Sequence, residues 1–302
     1  MKAENEVLDR VLLENESYQL QVIPRLGGKV SSIQRKRDGF QFLFQPKAAY
    51  EHPKIYDDFS KFQPSGIDDC FPNIDGESIV FRGKERNYPD HGEVWSSSLG
   101  WDHSSPDRIV MEFESTVFHY RYRKEIQLSE HSITLSYEIT NTGEDVFPCF
   151  YTFHGLFRME HDMKIFYPQG TEKILNVMDH MILGKAGEEH SFPLSADHDF
   201  RLLPREAEPY MMKYYVGNVL EEGSCGFDYP SQEASVRFEY DAKKLPYLGL
   251  WMTQGGYQGD RNIALEPSSG FYDSVSNAMD HEKLNLLSPE EAWKFQIKLT
   301  LS

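Results

Sequence analysis

Ser132-Ile-Thr-Leu-Ser-Tyr-Glu-Ile-Thr140 decides the fold class. Ile133, Leu135, Tyr137 and Ile139 alternate with Thr134, Ser136 and Glu138. Successive side chains of a strand point to opposite faces, so this pattern describes a strand with one buried and one wet face. The last stretch of the sequence repeats it. There Trp293, Phe295, Ile297, Leu299 and Leu301 alternate with Lys294, Gln296, Lys298 and Thr300. The same spacing predicts strands at Tyr18 to Val22, Ile109 to Glu114 and Ala234 to Tyr240. Turn signals such as Asn141-Thr-Gly143, Arg37-Asp-Gly39 and Gly255-Gly256 lie between such runs. Helical spacing is confined to short stretches around Tyr56–Phe62 and Leu284–Glu291. The expectation is an all-β protein, a sandwich of large antiparallel sheets. No linker or repeat divides the chain, so residues 1–302 are expected to form a single domain.

Composition narrows the classes. Of 302 residues, 39% are hydrophobic and 14% aromatic, which is too rich for a disordered chain. No apolar run approaches the roughly 18 residues that span a bilayer, so no membrane partner is expected. The formal charge of −17 argues against a nucleic-acid partner, because replacing phosphate counterions needs a basic surface. A neutral, polar small molecule suits this balance better. Cys70, Cys149 and Cys225 have no C-x-x-C spacing and form neither a disulfide framework nor a zinc knuckle. With the charged opening stretch Met1 to Glu16, they lead to the expectation of a reduced, cytoplasmic protein.

Chemistry concentrates where the alternation breaks. Three stretches, read as loops, are rich in Gly, Pro, His and carboxylates. They are Ser65-Gly-Ile-Asp-Asp-Cys-Phe-Pro72, with Pro89-Asp-His-Gly-Glu-Val-Trp95 after it; Tyr151-Thr-Phe-His-Gly-Leu-Phe157; and Ile263-Ala-Leu-Glu-Pro-Ser-Ser-Gly270. Glu266 follows an apolar triplet and precedes Pro267, which suggests a half-buried carboxylate at a sheet rim. Burial raises a carboxylate's pKa and makes it a better base near neutral pH. The plain alternative is a strand-end glutamate paired with a surface lysine. His154 sits among Phe153, Leu156 and Phe157. It is either a hydrogen-bonded core residue or an acid–base group, its protonated form favoured by any nearby carboxylate. His91-Gly-Glu93 has the H-x-E spacing of zinc deaminases but lacks their later P-C-x-x-C, so no metal is expected. Nucleophile-elbow, P-loop and dinucleotide motifs are absent. Trp95, Trp101, Trp251 and Tyr257 lie in or beside these stretches, and flat aromatic faces suit the C–H faces of sugars.

Together these segments resemble the aldose 1-epimerase (galactose mutarotase-like) family over nearly the whole chain. Val22-Ile-Pro-Arg-Leu-Gly-Gly-Lys-Val-Ser-Ser-Ile33 is similar to the family's opening strand and Gly-Gly turn. Asp90-His-Gly-Glu-Val-Trp95 resembles its His-Gly motif, and Thr152-Phe-His-Gly-Leu-Phe157 its second histidine segment. Leu265-Glu-Pro267, followed by Asp273-Ser-Val, resembles the catalytic glutamate segment. The resemblance implies a β-supersandwich and cofactor-free interconversion of sugar anomers. Glu266 would be the base and His154 the acid, with His91 holding the ring oxygen or a neighbouring hydroxyl. The family's Asn-Arg pair is missing from Gly66-Ile-Asp-Asp-Cys-Phe-Pro72. There Asp68 or Asp69 would recognise hydroxyls, and Asp228 in Gly226-Phe-Asp228 is a match for the family's binding aspartate. Trp251, by its aromatic face and its place beside these stretches, is expected to be a further sugar contact. The departures describe a divergent branch whose sugar need not be galactose; the chain is expected to be a monomer or homodimer. Two readings stand beside this one. A hexose 6-phosphate enzyme would draw on Arg82, Arg86 and Arg261 for phosphate. A sugar-binding protein without catalysis would have no use for the acid–base pair.

Overall fold

A computed structural model describes residues 8–195, 198–204, 209–271 and 273–302. The strands Ser132–Asn141 and Ala292–Leu301 pair antiparallel in the register that their patterns require. Ile133 faces Leu299, Leu135 faces Ile297, and Tyr137 faces Phe295. Their apolar faces are buried and their polar faces open, as the alternation demands. They lie at the centre of an eight-stranded sheet with Ala234–Tyr240, Tyr120–Leu128 and Arg108–Glu114. A ten-stranded sheet packs against it, and residues of both contribute to one continuous apolar cluster. No helix among the described residues is long and apolar enough to cross a membrane.

Strands run through all three stretches read as loops, and only the Pro89 to Trp95 part is a turn, leading into the 3-10 turn Val94–Ser96. Gly66–Cys70, Thr152–Arg158 and Arg261–Ser268 lie side by side in the middle of the ten-stranded sheet, with Tyr247–Gln254 and Tyr210–Val216 next in order. They lose the alternation because both of their faces are covered. One face packs on the other sheet. The other lies under the segments that carry Phe59, Ile74 and His91. Glu266 is therefore not a rim residue. It stands inside a central strand and is 2% exposed.

Both short-helix expectations change. Around Tyr56–Phe62 only a single 3-10 turn forms, Phe59–Lys61, started by the Asp58 carboxylate accepting from the Ser60 N–H. Leu284–Glu291 is not a helix. Asn285–Leu287 pairs as a short strand with Phe147–Cys149, and Ser288-Pro289 then turns the chain into the last strand. The helix forms earlier, over Val275–Asp280, where the Ser274 side chain caps the Asn277 N–H. All three cysteines are free and buried.

Candidate active site

Strand parity puts one row of side chains over the outer face of the large sheet. His154 and Leu156, Asn262 and Glu266, Trp251, and Lys213 all line a cavity of about 310 Å³. That volume is at the lower end for small-molecule sites. Phe59, Asp75, Asp90, His91, Tyr257 and Asp260 line it from the covering segments.

His154 and Glu266 meet at the floor, Nε2 to Oε1 at 3.9 Å. Glu266 Oε2 and His154 Nδ1 are buried with no hydrogen-bond partner among the described residues. Gly249 stands directly across from Glu266 on the neighbouring strand, and a Cβ there would come within 3.0 Å of Glu266 Oε2. Glycine at this position leaves the carboxylate its space. Burial is the main cause that pushes Glu266 up to about 7, and Asp273 adds to it, while Lys213 and His91 pull the other way. Burial also holds His154 well below the ordinary imidazole value, and His91, Lys213 and Lys29 add to that. A neighbouring carboxylate is therefore not enough here to favour the protonated form. Desolvation and three neighbouring cationic or imidazole groups outweigh one carboxylate that is itself half-protonated near neutrality.

His91 closes the site from above. Its ring stacks on Phe59 with centroids 4.0 Å apart and meets the edge of His154 at 5.3 Å. Asp90 Oδ1 lies 2.7 Å from His91 Nδ1, and Asp90 Oδ2 accepts from the Phe59 N–H at 2.8 Å. His91 has a positive φ, and Gly92 follows in the same region, its α-carbon pressed on the Phe71 carbonyl. The tight turn needs glycine there, because any Cβ would overlap that carbonyl. Trp95 is buried beneath, holding Phe59 edge-on, and its indole N–H donates to the Asp90 carbonyl at 2.8 Å. Trp251 lines the cavity, its indole N–H donating to Asn262 Oδ1 at 3.1 Å, with the Tyr257 ring at right angles to it. Trp101 lies instead on an edge strand of the other sheet.

Three candidates for sugar contact lie elsewhere. Asp68 stands beside His154 in the register, but its carboxylate is taken by Lys29 Nζ at 2.5 Å, and it does not line the cavity. Asp69 points to the opposite face, into the core between the sheets. There Tyr137 and Tyr151 donate to one oxygen, and Tyr122 and Lys124 to the other. Asp228 lies in the smaller sheet and accepts from Arg237 at 2.5 Å. None of the three reaches the site. Local sequence showed carboxylates near the motifs but not which face each would take.

Sequence reading missed Phe59, Asp75, Asp260 and Lys213. Lys213 carried a usable signal, a lone charge inside the apolar run Tyr210–Val216. Its ammonium donates to Asp273 Oδ2 at 2.6 Å, and Tyr215 donates to the other oxygen. Burial opposes its charge, but Asp273, Glu266 and Asp75 outweigh that and hold its pKa above the ordinary lysine value. Asp260 is ion-paired with Lys47. Among the described residues, no group of three or more His, Cys, Asp or Glu side chains is placed to hold a metal.

No family model matches the chain, and no curated protein matches it. Solved structures do. The Slr1438 protein of Synechocystis is 18% identical, with a TM-score of 0.77 and coverage of 100% of this chain and 98% of its own. A galactose mutarotase-like protein from Lactobacillus casei is 15% identical, TM-score 0.76, covering 97% and 100%. A candidate aldose 1-epimerase from Escherichia coli is 19% identical, TM-score 0.73, covering 97% and 99%. These likenesses show that the chain has the galactose mutarotase-like fold.

Proposed function

We propose that the chain is an aldose 1-epimerase, interconverting the α and β anomers of a neutral monosaccharide by ring opening and closure. The observation that carries the reading is the His154–Glu266 pair. Both groups are buried at a cavity floor, 3.9 Å apart, and each has a polar atom without a partner among the described residues. Ring opening takes a proton from the anomeric hydroxyl and gives one to the ring oxygen, so it needs two such groups and no redox partner.

The pair works with one shared proton. In the empty site that proton rests on Glu266 near neutral pH, because Glu266 is pushed up to about 7 and His154 is held down. The roles proposed here use the tautomer in which that proton sits on His154. Glu266 then takes the anomeric proton, and the imidazolium protonates the ring oxygen. The C1–C2 bond rotates, and closure returns each proton to its donor. His91, stacked on Phe59 and held by Asp90, lies over the pair and meets a ring oxygen or hydroxyl. Trp251 offers its face to the sugar's C–H face.

A neutral substrate is favoured over a phosphorylated one. No arginine among the described residues lines the cavity, and the lining Lys213 is already held by Asp273. Arg82 lies over Phe81, Arg86 reaches the Val146 carbonyl, and Arg261 is exposed at a strand end.

Polarimetry or saturation-transfer NMR on a panel of aldoses tests the reading. The wild type is expected to accelerate anomerisation, and Glu266→Gln and His154→Ala to lose about 10²–10⁴-fold of that rate. Wild-type rates in both variants would overturn it. Sugar binding without acceleration by the wild type would assign the cavity to a binding protein. Because the active form carries one proton on the pair, kcat/KM should fall as pH rises through about 7, where that proton is lost.

A further inference from the structure

Lys213 is a cation that the acid–base chemistry above does not use. It lines the cavity with Glu266, and its side chain is only 17% exposed. Lys213 and Tyr215 project from one strand face, and Tyr215 stands across Gly249 in line with Glu266. Both donate to Asp273. The Asp273 carbonyl in turn accepts from the N–H groups of Ile74 and Asp75, at 3.2 and 2.8 Å. The Ile74 carbonyl accepts from the His91 N–H at 2.6 Å. One clamp thus joins the glutamate's sheet to the segment that carries His91.

We propose that Lys213, clamped on Asp273 beside the cavity floor, is a positioning residue that sets the charge carried by Glu266. The proposal rests on the acid–base reading of Glu266. Among the described residues Glu266 Oε2 receives no hydrogen bond that would hold a negative charge, so through-space neighbours act on its ionisation. From its own side these are His154, on the adjacent strand, and the buried Cys70 beyond it. From the other side they are Lys213, Tyr215 and Asp273. From above they are His91, itself against Asp90, and Asp75. Lys213 is the strongest charge acting on Glu266, and it favours the carboxylate; Asp273 opposes it. The two halves of the clamp act on Glu266 with opposite sign, so removing one or the other should move it in opposite directions.

The test reads the alkaline limb of kcat/KM together with the protonated-carboxyl infrared band of Glu266, assigned by its loss in Glu266→Gln. Lys213→Met should move both midpoints up by about one pH unit, so that a given protonation needs about tenfold less proton activity. Asp273→Asn should move both down. Lys213→Arg keeps the charge and should leave both within a few tenths of a unit of wild type. Coincident titration of Lys213→Met and wild type in both readouts overturns the proposal. If Lys213→Met does not fold, an upward or absent shift in Asp273→Asn overturns it equally. An infrared shift of the expected sign without anomerisation in any variant leaves the charge-setting role standing and rejects the epimerase reading instead.

Discussion

Two carboxylates, on opposite faces of one sheet, are buried to the same degree and treated in opposite ways. Asp69, 1% exposed, lies in the core between the sheets, with three tyrosine hydroxyls and the Lys124 ammonium on its two oxygens. Lys124 is itself completely buried and donates also to the Gly28 carbonyl at 3.1 Å. Glu266, 2% exposed, has one oxygen without a partner among the described residues and the other 3.9 Å from an imidazole. A buried charge whose lone pairs are all met is stable where it sits. A buried carboxyl left short of donors gives up its charge more readily, and its proton becomes available to chemistry. Burial alone therefore does not separate a reactive carboxylate from a structural one; the count of donors does.

That contrast can be broken from either side. The largest effect is expected at the core. Lys124→Met takes the cation away from the buried Asp69 and should cost about 3–5 kcal/mol in urea unfolding, with the cavity's pH profile unmoved. A loss below about 1 kcal/mol would mean the cluster is not what holds the sheets together there. Next comes the pH dependence of stability. Glu266 is raised from 4.5 to about 7 in the folded protein. Its contribution is fully present below the unfolded value and is lost as pH rises through the folded one. Between about pH 5 and about pH 8 this amounts to roughly 3 kcal/mol, and Glu266→Gln should remove that slope and be the more stable protein at pH 8. An unchanged slope in the variant would show that Glu266 is not a strained carboxylate. Smaller again is Tyr137→Phe, which removes one of the donors to Asp69 and should cost about 2 kcal/mol without altering kcat. A change in kcat would join the two regions that the contrast keeps apart. The smallest is Trp251→Ala, expected to raise KM about fivefold for a sugar substrate while leaving stability within about 1 kcal/mol. An unchanged KM would remove Trp251 from the sugar site.

Much of the fold was legible because strand alternation is a local signal. Ser132 to Thr140 and Trp293 to Leu301 declare their buried faces residue by residue, and the structure pairs them on those faces. Lys124 was legible too, though it was not read. It occupies the same parity as Tyr120, Tyr122, Ile126 and Leu128, a cation in a row of core side chains. The functional strands were harder. Gly66–Cys70, Thr152–Arg158 and Arg261–Ser268 are covered on both faces, so they show no alternation and read as loops. Lys213 hid in a strand of the same kind.

By itself the sequence determined the fold class, the wet and dry faces of the alternating strands, and the residue types at His154, His91 and Glu266. Each of these depends on a residue and its near neighbours along the chain. Tertiary structure alone decided that Asp68 and Asp69 leave the site to opposite partners. It also decided that Asp228 belongs to the other sheet, and that Lys213 and Asp273 stand beside Glu266. The reason is electrostatic as well as topological. The proton affinity of Glu266 is set by its burial and by charges from other strands and segments, and only the folded sheet brings those together.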